Sequence, residues 1–391
     1  MGRAYFIITH IMRKTIIFFF FVYIIFIHIF ATNVVTGSER LDVLIPLLGN
    51  KRIGLIVNQS SLVGKNKTHL LDTLLSLNVN VKTVFAPEHG FMGNHDAGET
   101  VTNSKINGIT VYSLYGKTKK PTKEMLKDID ILVYDIQDVG VRFFTYISTL
   151  HYAMEAVAEN NKKIIVCDRP NPNDFVDGPS LQKDCRSFVG MHPIPIVYGL
   201  TVGELSLMIN EERWLKDNKK CDLTVVKCTG WKHGDKYTLD INPSPNLRTA
   251  QAILSYPSLC LFEPTIMSVA RGTDNPFTAI GYPDRRVGRY VFTPKSIKGV
   301  SVNPKYKNRK CYGEKYEISG RFSLKPIIDM NIKMKSLGYR MIKDKRTFEL
   351  FIGNKYVLTQ IENGATEKEI RDSWQEELSA YMDLRQLYLL Y

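Results

Sequence analysis

The chain has 391 residues, 44% of them hydrophobic, and a formal net charge of +13. This length and apolar content suffice for a large buried core, favour two domains, and exclude a disordered, collagen-like or coiled-coil protein. Residues 285–346 hold eighteen lysines and arginines against four acids, which indicates a solvated surface or a polyanion-binding face. Nucleic acid is not an expected partner, because the sequence shows no paired cysteines with histidines, RNP-like aromatics or long basic helix.

A hydrophobic run, TIIFFFFVYIIFIHIFA, follows Arg3, Arg13 and Lys14 near the N-terminus. A basic segment, an apolar segment and then small or polar residues describe a secretory signal. The run is slightly short for a membrane-spanning helix, which needs about 20 residues. We therefore predict that residues 1–37 are a cleaved signal peptide or, alternatively, an uncleaved anchor. The protein is expected to be exported, to the periplasm or the extracellular space, with a membrane as partner only if this segment is retained.

The chain contains six cysteines, and an oxidising compartment would permit disulfides among them. No CxxC pair occurs, so the sequence carries neither a zinc nor a redox signature. Cys167 ends the apolar run KIIVC, which favours a buried thiol.

Short apolar runs alternate with helix-like stretches from about residue 40 onward. The runs predict strands at 52–58, 81–86, 109–113, 129–136, 163–168 and 194–199. The longer periodic stretches predict helices at 68–77, 145–160 and 201–215. Strands that are apolar throughout and alternate with helices indicate a parallel sheet covered on both faces. We therefore predict a doubly wound α/β domain over residues 38–239.

The sequence changes character after residue 239. Prolines cluster in NPSPN and YPS, the positive charge rises, and the apolar periodicity becomes irregular. Near the C-terminus, Ile370, Trp374, Leu378, Tyr381 and Leu384 recur at helical spacing, which predicts a closing helix. Residues 240–391 are accordingly predicted to form a second, smaller α+β domain.

Polar residues follow four of the predicted strands. They are Asn58, Gln59 and Ser60 after the first, Glu88 and His89 after the second, Asp135, Gln137 and Asp138 after the fourth, and Asp168, Arg169 and Asn171 after the fifth. In an open parallel sheet the carboxyl ends of the strands share one edge, where ligands bind. We therefore predict a functional crevice at that edge.

The residue types narrow the kind of site. NQSSLVG follows the first strand in place of GxGxxG, GKT at 116–118 lacks the upstream glycine of a P-loop, and GxSxG is absent. These absences disfavour a nucleotide cofactor and a serine hydrolase. The remaining carboxylates, amides and imidazoles suit acid/base catalysis on a polar, uncharged bond such as a glycosidic bond, flanked by two carboxyl groups.

Glu88 is the first catalytic candidate, because it lies in a tight Pro-Glu-His-Gly turn at the predicted crevice. His89 beside it is expected to orient Glu88 or to contact the substrate. Glu99, Asp135 and Asp138 are candidates for the second catalytic carboxylate. The structural alternatives are a loop hydrogen bond for Glu99 and helix caps for the two aspartates.

Two other acidic motifs have simpler explanations. His95, Asp96 and Glu99 could join His89 at a metal, but their spacing matches no strong ligand pattern, so no metal site is predicted. Glu204 lies in TVGE, a Thr-x-x-Glu capping box that opens a helix, so we assign it to capping.

The chain resembles the NamZ-type exo-β-N-acetylmuramidases, glycoside hydrolase family 171. The resemblance rests on FAPEHGF, SLYG, DIQDVGVRFFTYISTL, DRPNP, GLTVGEL, PSPN, RGTDNPF and YLLY, which follow the family order from about residue 40 to 391. It implies a Rossmann-like catalytic domain, a smaller auxiliary domain that closes the cleft, and no redox cofactor. It also implies release of terminal N-acetylmuramic acid from the non-reducing end of peptidoglycan fragments such as MurNAc-GlcNAc.

The resemblance also assigns residues. It places Glu88 on the catalytic glutamate of the PEHG motif. The positions expected to bind substrate are His89, Gln137, Arg142, Tyr146, Asp168, Arg169, Asn171, Ser244, Asn246, Glu263 and Arg271. Among them the three arginines suit the lactyl carboxylate of N-acetylmuramic acid, because guanidinium binds carboxylate bidentately. Their structural alternative is a salt bridge to Asp138 or Asp168.

One segment departs from the family pattern. FEGTN-x-S-x-GRGT reads FEPTIMSVARGT here, so Pro264, Ile266 and Ala270 replace glycine, asparagine and glycine. We expect these changes to alter the shape or preference of the sugar pocket. With the basic stretch 285–346, they favour the alternative function of a non-catalytic glycan-binding protein of the cell wall. A third candidate is a metal-dependent amidase or esterase.

Overall fold

The computed structural model describes residues 34–96, 99, 102–318 and 320–391. The segment predicted to be a signal peptide or anchor lies almost entirely outside these residues. None of the helices described is long and apolar enough to cross a membrane.

Fourteen strands form within the described residues. They are β1 (Ile53–Val57), β2 (Leu62–Val63), β3 (Thr68–His69), β4 (Val81–Ala86), β5 (Ser104–Ile106), β6 (Ile109–Ser113), β7 (Ile131–Asp135), β8 (Lys163–Cys167), β9 (Val176–Asp177), β10 (Val197–Tyr198), β11 (Asp222–Val226), β12 (Ala279–Tyr282), β13 (Tyr290–Phe292) and β14 (Cys311–Lys315). Seven of them build one sheet in the order β11-β8-β7-β1-β4-β6-β5, in which only the edge strand β5 is antiparallel.

Eleven α-helices accompany these strands in the described part of the chain. They are α1 (Leu41–Leu48), α2 (Leu70–Ser76), α3 (Lys123–Leu126), α4 (Tyr146–Glu159), α5 (Val202–Glu211), α6 (Ala250–Leu259), α7 (Lys325–Ser336), α8 (Lys345–Ile352), α9 (Lys355–Glu362), α10 (Glu367–Asp372) and α11 (Gln375–Gln386). Helix α1 precedes β1, α2 to α5 connect or follow strands, and the last six helices belong to the C-terminal part.

The predicted doubly wound α/β fold is confirmed. The strands β1 and β7 are buried at every position because helices cover both faces of the sheet, as their unbroken apolar runs predict. The chain adds β4 and β6 on one side of β1 and then returns to add β7, β8 and β11 on the other. The order therefore reverses at β1, so the crevice that binds ligands in such sheets opens beside its carboxyl end.

Two predicted elements differ from the structure. The run 194–199 forms only β10, which pairs antiparallel with β9 outside the main sheet, and β11 occupies the sheet edge instead. The predicted closing helix is divided in two, because α10 ends at Asp372 and α11 begins at Gln375. In both segments the apolar pattern is as predicted, but tertiary packing sets the actual boundaries.

The C-terminal part combines a three-stranded antiparallel sheet, in the order β12-β14-β13, with α6 to α11. Its apolar residues pack into the same core as residues of the main sheet and of helix α4. Phe348 and Trp374 of the C-terminal part belong to the same buried cluster as Tyr134 and Ile147. The second region is therefore attached through a continuous hydrophobic core.

All six cysteines are free and buried, including Cys167 at the end of β8. The thiols therefore behave as small core side chains. The prediction of a buried Cys167 is confirmed.

Candidate active site

A cavity of about 320 Å³ lies beyond the carboxyl ends of β4 and β7, where C-terminal residues cover it. Its polar lining comprises Glu88, His89, Thr145, Ser244, Glu263 and Arg271. Its walls are mainly aromatic and comprise Tyr115, Phe143, Phe144, Tyr146, Phe188, Tyr256, Phe277 and Phe351, with Val189 and Cys260. We call this space the inner cavity. Aromatic walls with a few convergent polar groups are typical of small-molecule sites.

The turn after β4 carries the first acid into this cavity. The amide of Gly90 donates to the carbonyl of Pro87 at 3.0 Å and closes the turn. His89 has φ +70°, in the left-handed region that costs a non-glycine residue about 1 kcal/mol or more. The turn therefore accepts backbone strain at the position that places an acid and an imidazole side by side.

His89 is held as a neutral ring. Burial lowers its pKa, although the neighbouring Glu88 acts in the opposite direction. Its Nδ1 lies 2.8 Å from the carbonyl oxygen of His95, which can only accept a hydrogen bond. Nδ1 therefore carries the proton, and Nε2 remains an acceptor.

Two hydroxyl groups orient Glu88. Thr145 Oγ1 donates to Glu88 Oε2 at 2.7 Å, and the Tyr115 hydroxyl also hydrogen-bonds to this carboxylate. Thr145 is the N-cap of α4, yet its hydroxyl faces Glu88 instead of capping the helix. Burial and the charge of Glu88 together raise the pKa of Tyr115, so the phenol keeps its proton. The positive end of the α4 dipole adds to this support.

A second acid, Glu263, lines the same cavity from the C-terminal part. Arg271 Nε lies 2.6 Å from Glu263 Oε1, and the guanidinium stacks over Phe277 at 4.8 Å from the ring centroid. Lys305 Nζ donates to the carbonyls of Glu263 and Thr265, each at 2.6 Å. Arg271 therefore holds the carboxylate of Glu263, and Lys305 holds the backbone of the same residue.

A second cavity of about 600 Å³ adjoins the first, and Glu263 and Arg271 line both. Its further lining residues are Asp96, Glu99, Ser268, Val269, Val300, Ser301, Val302, Asn303, Pro304 and Lys305. We call it the outer cavity.

Six of the residues predicted from the sequence meet at the inner cavity. They are Glu88, His89, Tyr146, Ser244, Glu263 and Arg271. Tyr146 donates its hydroxyl to the carbonyl of Pro243 at 3.2 Å and so ties the PSPN segment to the helix α4. The PEHG turn, the start of α4 and the PSPN and RGT segments thus converge on one space.

The aspartate at the end of the fourth predicted strand, β7, lies elsewhere. Asp135 is fully buried and makes a bidentate ion pair with Arg169, at 2.6 Å to Nε and 2.9 Å to Nη2. Burial alone would lower the pKa of Arg169, but the charge and hydrogen bonds of Asp135 raise it. The salt bridge that was the structural alternative for Arg169 therefore forms, with Asp135 rather than Asp138 or Asp168.

Asp168 is saturated by neighbours, whereas Asp138 is bound at one oxygen and its buried Oδ1 has no hydrogen-bond partner among the described residues. Asp138 accepts from the Tyr198 hydroxyl and from the Gly140 amide at 2.6 Å. Asp168 accepts from Thr201 Oγ1 and the Tyr391 hydroxyl, each at 2.7 Å. Burial raises the pKa of both aspartates to about 6.

The amides of these strand ends link loops to one another. Gln137 Nε2 donates to the carbonyls of Asp138 and Pro170, at 2.8 and 2.9 Å. Asn171 Nδ2 donates to the carbonyl of Leu200 at 3.0 Å. Both side chains lie outside the lining of the inner cavity.

Arg142 is fully buried away from the inner cavity and joins the two regions of the chain. Its guanidinium donates to the carbonyls of Pro179 and Ile194 and, from α8, to those of Phe351 and Ile352. Burial lowers its pKa to about 9.

The last two predicted residues lie toward the outer cavity. Asn246 Nδ2 donates to the carbonyl of Val300 at 2.8 Å. Glu99 is exposed and accepts from the amide of Asp96 at 2.9 Å, the loop hydrogen bond given above as its alternative. That bond lowers the pKa of Glu99.

Glu204 completes the predicted capping box, since its Oε2 accepts from the amide of Thr201 at 2.8 Å. It also pairs with His233, whose Nε2 lies 2.9 Å from Glu204 Oε1 and whose Nδ1 lies 2.7 Å from Asp174 Oδ1. Burial would lower the pKa of His233, but its two acidic partners outweigh burial and raise it to about 9.

The substitutions Pro264, Ile266 and Ala270 lie outside the described lining of both cavities. Ala270 has φ +60°, so this chain places an alanine in a backbone conformation that glycine adopts freely. The expected change of the sugar pocket is therefore not visible in the side chains that form it.

Sequence reasoning missed Thr145 and Tyr115, the two hydroxyl partners of Glu88. Both lie in motifs that carry the family resemblance, SLYG and FFTYISTL, but nothing in their spacing marks them as neighbours of Glu88. Among the described residues, no three histidine, cysteine, aspartate or glutamate side chains are grouped so as to hold a metal ion.

Comparison with known proteins agrees with this geometry. The family model described as Exo-beta-N-acetylmuramidase NamZ, N-terminal, matches residues 53–251, and its C-terminal counterpart matches residues 254–391. Peptidoglycan beta-N-acetylmuramidase NamZ of Bacillus subtilis (strain 168) is 36% identical over 378 residues, which cover 90% of each chain.

Two crystal structures of DUF1343 family proteins from Bacteroides fragilis NCTC 9343 share the fold. Their TM-scores are 0.83 and 0.80, and their sequence identities to this chain are 42% and 33%. Each alignment covers 92% of this chain and 99% of the other.

Because these similarities extend over both parts of the chain, the protein is a glycosidase, and the two glutamates of the inner cavity are the kind of acids that such enzymes require. More narrowly, it belongs to the NamZ family, so the resemblance predicted from its motifs is confirmed.

Proposed function

We propose that this protein is an exo-acting glycoside hydrolase that releases terminal N-acetylmuramic acid from the non-reducing end of peptidoglycan fragments, with MurNAc-GlcNAc as the smallest natural substrate. The Bacillus subtilis relative, named as a peptidoglycan beta-N-acetylmuramidase, supports this substrate class. The observation that carries the proposal is that Glu88 and Glu263 line one aromatic-walled cavity of about 320 Å³. This volume is at the lower end of the range for small-molecule sites and suits a single sugar.

The two acids differ in their partners, which suits a division of labour. Glu263 pairs with the guanidinium of Arg271, whereas Glu88 is held by the hydroxyls of Thr145 and Tyr115. In our proposal Glu88 is the general acid, and Glu263 is the second carboxylate, acting as base or nucleophile. The sequence analysis predicted Glu99, Asp135 or Asp138 for that role. None of the three lines the inner cavity.

Exo-action follows from the way in which the cavity ends. Phe188 and Phe351 line it together with Glu88, and these aromatic side chains come from the two different parts of the chain. We propose that this wall stops the polymer after one residue, so that only a terminal sugar enters. The lactyl carboxylate of that sugar would pair with Arg271, the predicted arginine that lines the cavity.

The test is hydrolysis of para-nitrophenyl N-acetylmuraminide and of MurNAc-GlcNAc by the variant Glu88→Gln. We expect a loss of at least about a thousandfold in kcat for MurNAc-GlcNAc, because the amide keeps the shape but cannot protonate the departing sugar oxygen, and a smaller loss for the aryl glycoside, whose nitrophenolate leaves with little protonation. The thermal midpoint should stay close to that of the wild type.

Glu124→Gln is the matched control, because it removes the same charge from an exposed position on α3. Near-normal hydrolysis of MurNAc-GlcNAc by Glu88→Gln would reject Glu88 as the acid. Tight binding of the disaccharide by the wild-type protein, with no sugar released, would instead support the non-catalytic glycan-binding alternative.

We further propose that the protein is exported, because its N-terminal segment has the composition of a secretory signal and peptidoglycan lies outside the cytoplasm. Fractionation of cells that express the full chain, with N-terminal sequencing of the product, tests this. Recovery of an unprocessed protein in the cytoplasm would contradict it.

A further inference from the structure

We infer that a cavity behind Phe188 binds a second saccharide, which carries a carboxylate and is separate from the one being hydrolysed, and that its occupancy favours catalysis. The choice of ligand rests on the proposed function. The cavity measures about 770 Å³ and is lined by α4, by the turn at 187–190 and by the segment that follows α5. We call it the lateral cavity.

Phe188 separates the lateral cavity from the inner cavity, because its side chain lines both. It lies in a tight turn closed by two backbone hydrogen bonds between Ser187 and Gly190, at 2.9 and 3.0 Å. Ser148 Oγ of α4 donates to the carbonyl of Phe188 at 2.8 Å. The wall is thus held by backbone contacts on both sides. A glycan in the lateral cavity is therefore not the continuation of a chain whose end fills the inner cavity.

The apolar part of the lateral cavity consists of three half-buried aromatic side chains, Tyr152, Phe188 and Trp214. The rings of Tyr152 and Phe188 are nearly parallel, with an interplanar angle of 11° and centroids 6.2 Å apart. Trp214 packs against the buried ring of His192 at 5.8 Å between centroids. Such supported, partly exposed aromatic rings offer flat apolar surfaces to a sugar.

The polar part of the lining has a surplus of positive charge. Its four cations form no ion pair within the part of the chain that the structure describes: they are Lys183, Arg186, Arg213 and Lys216. The two acids of the lining have partners of their own. Glu155 accepts from Lys120 Nζ at 3.0 Å, and Glu212 accepts from the Tyr388 hydroxyl at 2.6 Å. Because guanidinium binds carboxylate bidentately, this lining favours a carboxylate-bearing sugar over an uncharged one.

The polar groups are held in place by the backbone around them. Arg186 Nε donates to the carbonyl of Met191 at 3.0 Å, and Arg213 Nη1 donates to that of Asn218 at 3.4 Å. Arg213 has φ +54°, a left-handed conformation that costs a non-glycine residue about 1 kcal/mol or more. Ser187 Oγ has no hydrogen-bond partner among the residues described, so its hydroxyl is available to an oxygen of a bound sugar.

Two contacts connect the lateral cavity with the catalytic acid. The ring of Phe188 lies 6.3 Å from that of Tyr115, centroid to centroid, and the Tyr115 hydroxyl hydrogen-bonds to Glu88. A sugar packed against Phe188 from the lateral cavity restricts the movement of this ring and hence of Tyr115. We therefore expect a bound saccharide to increase hydrolysis in the inner cavity.

Binding is tested by titrating the wild-type protein with GlcNAc-MurNAc. Its non-reducing end is N-acetylglucosamine, so the proposed exo-activity does not cleave it. Trp214 is the reporter, because the other two tryptophans, Trp231 and Trp374, are buried, and no tryptophan lines the inner cavity as described. We expect a saturable change in tryptophan fluorescence that Trp214→Phe abolishes.

Two further sugars define the ligand. The uncharged disaccharide GlcNAc-GlcNAc should bind at least about fivefold more weakly than GlcNAc-MurNAc, because it brings no carboxylate to the arginines. Free N-acetylmuramic acid distinguishes the two sources of the carboxylate. Weaker binding of the monosaccharide than of the disaccharide assigns the site to a glycan strand, and equal binding assigns it to the released product.

The double variant Arg186→Gln with Arg213→Gln should weaken binding of GlcNAc-MurNAc about tenfold. Arg340→Gln is the control, because Arg340 is exposed and lies outside the described lining of the lateral cavity. The site is overturned if the wild type shows no fluorescence change, binds both disaccharides equally, or binds no better than the double variant.

The coupling is tested by adding GlcNAc-MurNAc during hydrolysis of para-nitrophenyl N-acetylmuraminide. We expect kcat/KM to rise about two- to threefold in the wild type and to stay constant in the double variant. A rise in KM alone would show competition for the inner cavity, and unchanged kinetics would contradict the coupling through Phe188. A wild-type protein that cleaves no muraminide but binds GlcNAc-MurNAc at Trp214 would reject the proposed function and retain the site, so the two failures are distinguishable.

Discussion

The polar residues at the carboxyl edge of the sheet fall into two regions with opposite character. Beside β7 and β8, Asp135 and Arg169 bind each other, and Asp168 binds Thr201 and Tyr391. Beyond β4, the carboxylate of Glu88 lines an open cavity. Both regions look alike in the sequence, since each places acids directly after an apolar strand. The difference shows that acids at strand ends locate the functional edge, while only their partners distinguish structural acids from those available to a substrate.

The largest effect should come from breaking the buried pair. Arg169→Met leaves Asp135 as an unpaired buried charge and should lower the free energy of unfolding by about 3–5 kcal/mol. Chemical denaturation measures this change. Replacing both partners, Asp135→Leu with Arg169→Met, should recover much of it.

Arg286→Met is the control for that experiment. Arg286 pairs with Asp284 at the surface, where its side chain is 58% exposed, so its loss should change stability little. If Arg169→Met unfolds no more easily than this control, the pair does not have the structural role given to it here.

In the inner cavity, by contrast, a substitution should reduce activity rather than stability. Glu263→Gln should lower kcat by about a hundredfold, because it removes the second acid from the substrate site. Asp135→Asn, although destabilising, should retain most of its activity per folded molecule. Steady-state rates with the aryl glycoside, corrected for the folded fraction, separate the two. The reverse ranking would transfer the catalytic role to Asp135.

The pH dependence of stability provides a third comparison. The pKa of His233 is about 9 in the folded state, above its ordinary value of 6.5, because Asp174 and Glu204 favour the charged ring. A raised folded-state pKa stabilises the protein fully below about pH 6.5, and this contribution disappears as pH rises through about 9. We expect a loss of about 3 kcal/mol over this interval in the wild type.

His233→Gln should be less stable at pH 6 and should show a flatter decline between pH 6.5 and 9. Thermal midpoints measured at half-unit intervals test both points. Parallel curves for the two proteins would show that the network of His233 does not control this pH range.

The smallest effect concerns the orientation of Glu88. Thr145→Val removes the hydroxyl that donates to Glu88 Oε2 and should lower kcat/KM about tenfold, the value of one such hydrogen bond to a charged group. Thr145→Ser retains the hydroxyl and should restore most of the activity. Serine keeps the hydroxyl of Thr145 but loses its methyl group, so its activity shows whether the hydroxyl or the packing matters. An inactive Thr145→Ser variant would count against the orienting role.

Much of the fold could be predicted from the sequence, because its signals are local. The apolar runs of β1, β4, β6, β7 and β8 read directly as buried parallel strands, and the capping box at Thr201 marks the start of α5. The same local signal failed at 194–199. A short apolar run is compatible with the main sheet and with a separate ribbon, and only tertiary pairing decides between them.

The site was predictable only in part, because it depends on contacts between side chains that are far apart in the sequence. Glu88 could be chosen from its turn and its motif, but Thr145, its partner, lies 57 residues away. Glu263 and Asp135 belong to equally recognisable motifs, and nothing local shows that one faces a cavity while the other binds Arg169. Sequence spacing gives no information on which side chains neutralise each other.

The guanidinium of Arg142 has a consequence for how the two halves are inherited. It binds carbonyls at Pro179 and Ile194 and, on α8, at Phe351 and Ile352, beside a hydrophobic core that continues from one half into the other. Neither half alone supplies all the partners of this arginine. An exchange of C-terminal halves that displaces α8 would remove the carbonyls of Phe351 and Ile352 from this buried guanidinium, so the two halves should unfold together in a single transition.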